Sequence, residues 1–151
     1  MTDIEFEKWR IELLSLDRYE NPNDAKRFVQ LSKSVINKLD ARVIDILLST
    51  FCNEDDYGIQ EAVLLVLDSA DSNIYADRMA KKFPDILRQS TNNEWPLILI
   101  GRIVNSESAD RLNAILSAAR NPSNPKELNT FIHSDYFLGE YPQVKPYLRH
   151  L

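Results

Sequence analysis

Three consecutive acids and a tyrosine have the types and spacing that most suggest chemistry in this chain: Glu54, Asp55, Asp56 and Tyr57. They run directly into an apolar segment, where carboxylates could bind a metal ion, cap a helix or contact a partner. An EF-hand calcium loop needs a glutamate at its twelfth position. That position here is Leu64, so we expect no metal. One acid is enough to cap the following helix, and the surplus acids indicate a surface for binding.

A conceivable pair of catalytic carboxylates consists of Glu61 with either Asp56 or Asp68. Paired acids serve a hydrolase when one of them is positioned as the proton donor. Nothing in the sequence selects a donor, and Glu61 and Asp68 are separated by two helical turns. A divergent hydrolase is therefore the weakest of the functions that we consider.

Other catalytic signatures are missing from the sequence. The two histidines, His133 and His150, stand far apart, and neither is placed to activate the single cysteine, Cys52. There is no G-x-S-x-G motif and no glycine-rich phosphate loop, and the chain has only 3 glycines. We expect no enzymatic activity and no cofactor.

Charge is distributed unevenly along the chain. The net charge is −5, but residues 43–77 contain eight acids and no lysine or arginine, so this segment carries −8 and the remainder +3. An acidic surface repels the phosphates of nucleic acid and attracts basic proteins. We therefore expect a basic protein as the partner, and no nucleic acid.

The totals fit one domain that spans residues 1–151. With 44% hydrophobic and 27% charged residues the composition is that of a globular protein. A single cysteine forms no internal disulfide, the N-terminus has acids where a signal peptide needs basic residues, and no apolar run approaches the roughly 20 residues of a membrane span. We expect a soluble, cytoplasmic protein without a membrane segment.

Helical spacing of the apolar residues recurs along the chain, and sustained alternation is absent, so the sequence predicts an all-α fold. We expect seven to nine helices. The second would begin with Asn23 or Asp24 as its cap and reach Leu39, and a later one would break at Pro84. The other predicted ranges are 3–16, 41–51, 57–69, 73–90, 94–104, 108–120 and 125–133, with a short helix or an ordered tail at the end.

Two central helices resemble each other at a shift of 37 residues, which aligns Val66 with Ile103 and Asp68 with Asn105. Both are apolar on nearly every side, and Gly101 in the second would allow another backbone to approach closely. The period is near that of HEAT repeats. The sequence therefore predicts a short stack of antiparallel helix pairs, in which the loops 54–57 and 91–94 are neighbours.

A family resemblance lies in EDDYGIQEAVLLVLDS, a following tyrosine-containing helix, PDIL and NNEWPLILIGRIVN. Over residues 52–116 the chain resembles the HEAT-like immunity proteins of bacterial polymorphic-toxin systems, including those of contact-dependent growth inhibition. The resemblance implies a cytoplasmic protein that binds and blocks one cognate toxin domain. Many such toxins are nucleases with basic grooves, and an acidic surface would mimic their phosphate ligands.

The leading hypothesis is therefore an immunity protein that acts by occlusion, and the alternative is a helical-repeat adaptor that binds an endogenous protein or peptide. A tryptophan at a helix start is often partly in the core, and the role of the tail from Tyr136 onward is left open. The residues expected at the partner surface are Glu54, Asp55, Asp56 and Tyr57, supported by Glu61, Asp68, Asn93, Glu94 and Trp95.

Overall fold

The computed structural model describes residues 1–148, and all the regular structure in that range is helical, which confirms the all-α prediction. His150 lies outside the described residues. The helices are α1 Asp3–Ser15, α2 Pro22–Lys33, α3 Ala41–Leu48, α4 Gln60–Leu67, α5 Ser72–Gln89, α6 Glu94–Val104, α7 Ala109–Arg120, α8 Glu127–Ile132 and α9 Asp135–Glu140, then a 3-10 turn Pro142–Val144 and α10 Lys145–Leu148. No helix in this range is both long and apolar enough to cross a membrane.

The helices form a stack with two layers. In one layer α3, α5 and α7 pack against each other in chain order, and in the other α2 packs on α4. Helix α1 packs on α2, and α8 packs on α5 and α7. A single hydrophobic core runs through the stack from Trp9 to Val144. Its largest fully buried side chains include Phe51, Phe83 and Phe137.

Helix boundaries in the middle of the stack repeat with the predicted period. Helices α4 and α6 end 37 residues apart, and α5 and α7 begin 37 residues apart. The caps follow the same spacing, because Asp71 accepts hydrogen bonds from the first amides of α5 and Ser108 accepts one from the first turn of α7. The pairs α4–α5 and α6–α7 are therefore equivalent units of the stack.

The start and end of α2 differ from the prediction. Its cap is Asn21, whose side-chain oxygen accepts from the amides of Asn23 and Asp24, with Pro22 at the first helical position. The helix ends at Lys33 instead of reaching Leu39. Asp24 accepts from the amide of Asp17 at 2.9 Å, and so it holds the preceding turn rather than capping the helix.

The predicted break at Pro84 is also wrong, because α5 is continuous through this residue. Proline in a helix interior loses one hydrogen bond and costs roughly 3 kcal/mol. Phe83 and Ile86 on either side are fully buried, and α5 packs on α3, α7 and α8. Packing of this central helix therefore outweighs the local preference of proline.

Close approach at Gly101 is made by a side chain and not, as predicted, by a backbone. The hydroxyl of Tyr141 occupies the place where a Cβ at position 101 would lie. The ring of Tyr141 also packs on that of Phe137, with centroids 5.3 Å apart. The segment after Tyr136 is thus packed against the stack.

Candidate functional site

The two loops that the repeat aligns do lie side by side, as predicted. The side-chain amide of Asn53 donates to the hydroxyl of Thr91 at 2.8 Å and so joins them directly. Between them is a depression of about 300 Å³, whose lining includes residues from both loops and from the first turn of α4. The lining residues are Asn53, Glu54, Asp55, Asp56, Gly58, Gln60, Glu61, Glu94 and Trp95.

Four of these acids form what we call the acidic edge: Glu54, Asp55, Glu61 and Glu94. All four are exposed to solvent. None of them lies in an ion pair with a lysine or arginine in residues 1–148, whereas nine other acids in that range do. The edge therefore presents negative charge that is not held in direct ion pairs, and the acids come from two separate units of the stack.

Tyr57 stands beside the acidic edge and is 86% exposed. Its backbone is in the left-handed region with φ +57°, and the following Gly58 has φ +91°. The carboxylate of Asp55 accepts from the amide of Tyr57 at 2.8 Å and so helps to hold this turn. Left-handed backbone costs a non-glycine residue roughly 1–2 kcal/mol. The chain thus holds a large aromatic ring in solvent in a strained turn, a combination that is typical of binding sites.

Asp56 differs from its neighbours and corrects one expectation, since only 6% of its surface is exposed. One carboxylate oxygen accepts from the amide of Gln60 at 3.1 Å, and the other lies 3.5 Å from Nε of Arg18. The carboxylate is thus used within the fold, where it supports the start of α4. A partner cannot contact it as we had expected.

A buried polar network lies behind Asp56 and connects the acidic edge to the turn between α1 and α2. Arg18, which is 8% exposed, donates to the carbonyl of Thr50 and stacks on the ring of Phe28, with its guanidinium carbon 4.6 Å from the centroid. The side-chain amide of Gln60 donates to the hydroxyl of Thr50 at 2.7 Å. Two buried atoms of this network, Nη1 of Arg18 and Oε1 of Gln60, are among the four in residues 1–148 that have no hydrogen-bond partner there.

Asp68 is exposed like the acids of the edge, but its charge is compensated inside the chain. Arg102 donates to both of its carboxylate oxygens, at 2.8 and 2.6 Å. This hydrogen bonding raises the pKa of Arg102 above its usual range. Asp68 follows the last residue of α4, whereas Glu61 is in the first turn. Asp68 therefore joins α4 to α6 and does not belong to the acidic edge.

The two remaining predicted residues are less exposed than the acids. Trp95 is half-buried, lines the depression and packs edge-on against Phe51 with centroids 5.0 Å apart, as a partly core tryptophan does. Asn93 has φ +63° and lines a different groove, beside Phe131 and Tyr136. Of this pair only Trp95 belongs to the same depression as the acids.

Residues considered for catalysis do not come together. Asp56 and Asp68 are each paired with an arginine, so neither forms a free carboxylate pair with Glu61. Cys52 is half-buried, with its sulfur 3.1 Å from the hydroxyl of Tyr19. Among residues 1–148 no group of three histidine, cysteine or acidic side chains is arranged to hold a metal ion.

Sequence reasoning missed Arg18 and Gln60, the residues that hold the site from behind. Arg18 lies in a non-helical turn, and no pattern of spacing points from it to an acid 38 residues later.

Comparisons of the chain with known protein families, with curated proteins and with solved structures find no match. The function is therefore inferred from the site itself.

Proposed function

We propose that this chain is an immunity protein, which binds a basic toxin domain through the acidic edge and occludes the toxin's active site. The observation that carries the proposal is the gathering of four exposed acids, none of them in an ion pair within residues 1–148, around one depression beside the exposed ring of Tyr57. The resemblance in residues 52–116 supports the same conclusion. No chemistry is performed by the chain.

Charge complementarity supports a basic partner. Clustered charge of one sign accelerates the association of an oppositely charged protein, and this acceleration falls steeply as salt is added. A toxin that acts on nucleic acid has a basic groove for phosphates. Carboxylates that enter such a groove replace the phosphates and block access to the substrate.

Tyr57 supplies the apolar part of the contact. Tyrosine is enriched among the residues that contribute most to binding energy, and its ring buries a large area with few rotatable bonds. The turn that holds Tyr57 is already formed by the Asp55 hydrogen bond, so less conformational freedom is lost on binding.

The exposed face of α4 and α6 extends the contact area. A stable interface buries about 800 Å² on each partner, which is more than one depression provides. Leu65 on α4 and Ile98 on α6 are 57% and 40% exposed. They lie between the acidic edge at one end of these helices and the Asp68–Arg102 pair at the other. A partner centred on the edge would therefore cover them.

A helical-repeat adaptor is the second candidate, and one groove favours it. This groove has a volume of about 320 Å³ and a largely apolar lining that includes Leu87, Phe131 and Tyr136. An apolar groove between helices is a common place for a peptide to bind. An endogenous partner that binds there, and not at the acidic edge, would distinguish this function from the first.

The test uses the chain as bait in a lysate of its source, followed by identification of the partner by mass spectrometry. We expect a protein with a basic domain that arrests growth when it is expressed alone, and growth restored when this chain is expressed with it. A partner that is harmless alone would reject the immunity function.

Matched variants then locate the contact. Glu54→Lys with Glu61→Lys should slow association with that partner at least tenfold at low salt, with a smaller effect at high salt. Asp110→Lys with Glu140→Lys makes the same change in net charge at exposed acids elsewhere in the stack that form no ion pair within residues 1–148, and it should change the rate less than about twofold. Equal rates for the two double variants would reject the acidic edge as the contact.

A further inference from the structure

A second cavity lies at the opposite end of the exposed face of α4 and α6. Its volume is about 640 Å³, compared with about 300 Å³ for the depression at the acidic edge. We call it the arginine cavity, because Arg102 and Arg111 both line it. Asp68 is the only acid of the described residues in its lining, so the lining carries a net charge of +1. The lining includes Asp68, Ile98, Arg102, Asn105, Arg111 and Tyr141.

Arg111 is held firmly in place but has no counter-charge. It donates to the carbonyl oxygens of Ala70 and Leu67 at 3.0 and 3.4 Å, and its guanidinium carbon lies 5.2 Å from the ring centroid of Tyr75. Among the arginines of residues 1–148 that are at least partly buried, Arg111 alone forms no ion pair in that range. Its carbonyl partners are neutral groups, so the positive charge remains unbalanced.

Arg102 retains part of its capacity to donate hydrogen bonds. Its Nε and Nη2 atoms donate to Asp68, whereas Nη1 makes no hydrogen bond within residues 1–148. The amide of Asn105 and the hydroxyl of Tyr141 add further donors to the lining. A guanidinium group binds planar oxyanions through its N–H donors. The lining is therefore suited to a group that carries negative charge and several acceptors.

The arginine cavity belongs to the face that the proposed partner covers. Ile98, which is 40% exposed, lines the cavity. Arg102 follows Glu94 on α6 by eight residues, so the cavity lies about 12 Å from the acidic edge at 1.5 Å per residue. A partner that covers both the edge and Ile98 also removes water from the two arginines. Because an unbalanced charge that loses water weakens binding, we expect the partner to supply an anionic group.

We propose that the arginine cavity receives an aspartate or glutamate side chain of the partner, whose carboxylate binds Arg102 and Arg111. This inference rests on the function proposed above and adds to it. The acidic edge attracts any basic surface, whereas the cavity requires an acid at about 12 Å from that surface. Together the two sites select one partner among many basic proteins.

The chemistry of the cavity can be measured without the partner, by NMR titration of the full chain with N-acetyl-glutamate amide at constant ionic strength. The signals to observe are the side-chain Nε–H groups of Arg102 and Arg111 and the side-chain amide of Asn105. We expect saturable shifts with a Kd on the order of 10–100 mM. N-acetyl-glutamine amide has nearly the same shape without the charge, and we expect no saturation with it.

Asp68→Asn tests the proposal by the sign of its effect. The variant removes the acid that engages Arg102, so an incoming carboxylate should bind more tightly. We expect the Kd of N-acetyl-glutamate amide to fall at least about threefold. The partner should dissociate at least about threefold more slowly, and dissociation is the rate to compare because overall charge acts mainly on association. If a basic group of the partner contacted Asp68 instead, the same variant would dissociate faster.

Glu12→Gln is the matched control, because Glu12 also accepts two hydrogen bonds from an arginine, Arg27, on a neighbouring helix. This control should leave both the Kd and the dissociation rate unchanged. Arg102→Gln with Asp68→Asn removes the guanidinium group at unchanged net charge, and it should bind the carboxylate at least about threefold more weakly than Asp68→Asn. Both ion pairs are exposed, so the variants should remain folded, and their melting temperatures check this.

Several results would overturn the carboxylate site. These are the absence of saturable shifts in the wild type, equal binding of the glutamine amide, or a Kd that does not fall in folded Asp68→Asn. Inorganic phosphate that binds more than about tenfold tighter than the carboxylate would assign the cavity to a phosphate ligand instead. If a toxin is captured but dissociates faster from Asp68→Asn, only this inference fails. If the carboxylate binds but the bait captures no toxin, only the immunity function fails.

Discussion

Replacing Asp56 by asparagine tests how firmly the acidic edge is attached to the fold. Asparagine retains an oxygen to accept from the amide of Gln60 but removes the negative charge that faces Arg18. Charges 3.5 Å apart attract by about 5 kcal/mol at an effective dielectric constant of about 20. In the variant Arg18 keeps its hydrogen bond to the carbonyl of Thr50 and its stacking on Phe28. These contacts still stabilise the buried cation, so the loss of stability should be smaller than the lost attraction.

We therefore expect Asp56→Asn to lower the free energy of unfolding by about 2–4 kcal/mol, near the values found when one partner of a buried ion pair is removed. In a chain of this length that corresponds to a fall in Tm of roughly 4–16 °C. The measurement is unfolding in urea followed by circular dichroism, because urea is uncharged and does not screen the ion pair as guanidinium chloride does.

Asp55→Asn is the matched control, since Asp55 is adjacent, exposed and outside any ion pair with lysine or arginine in the described residues. Asp55→Asn should change the free energy of unfolding by no more than about 0.5 kcal/mol. Asp56→Asn should also cost much less in an Arg18→Met background, because no buried cation is then left unpaired. Equal stabilities of Asp55→Asn and Asp56→Asn, or the same cost of Asp56→Asn in both backgrounds, would refute the reasoning.

Two further predictions concern tyrosines. Tyr57→Gly relieves the strain of φ +57°. The strain that is relieved exceeds the extra conformational entropy that glycine loses on folding, so this variant should raise the free energy of unfolding by roughly 0.5 kcal/mol. It should also weaken binding of the partner. Lower stability of the variant in urea would contradict this reasoning. Burial raises the pKa of Tyr75 above its usual value of about 10, so its contribution to stability is present below pH 10 and falls above it by about 1.4 kcal/mol per pH unit. Tyr75→Phe should therefore lose less stability than the wild type between about pH 9 and 11, and identical losses would show that the pKa of Tyr75 is the same in the folded and unfolded states.

Periodic features of the sequence predicted the parts of the structure that repeat. About one period separates the cap Asp71 from the cap Ser108. The same spacing separates the loop around Asn53 from the loop around Thr91, and these two loops are joined by a hydrogen bond. Local spacing suffices for such features because equivalent units of a stack pack in equivalent ways.

Pairings between distant residues were not predictable in the same way. Arg18 meets Asp56, and Asp68 meets Arg102, through the packing of helices that are separate in the sequence. In the second case a signal was present, because Asp68 and Arg102 are among the few polar residues in or next to two largely apolar helices. In the first case none was present, so Asp56 looked like its exposed neighbours although it is buried.

The separation between Asp56 and its exposed neighbours has an evolutionary consequence. Glu54, Glu61 and Glu94 make no ion pair within the described residues, so their replacement removes almost no stability. A lineage can therefore exchange these side chains one at a time and follow changes in a partner's surface without passing through unfolded intermediates. The Arg18–Asp56 pair cannot drift in this way, because loss of either member leaves a buried charge. Among homologues of this chain we thus expect the exposed acids to diverge while the pair beneath them is retained.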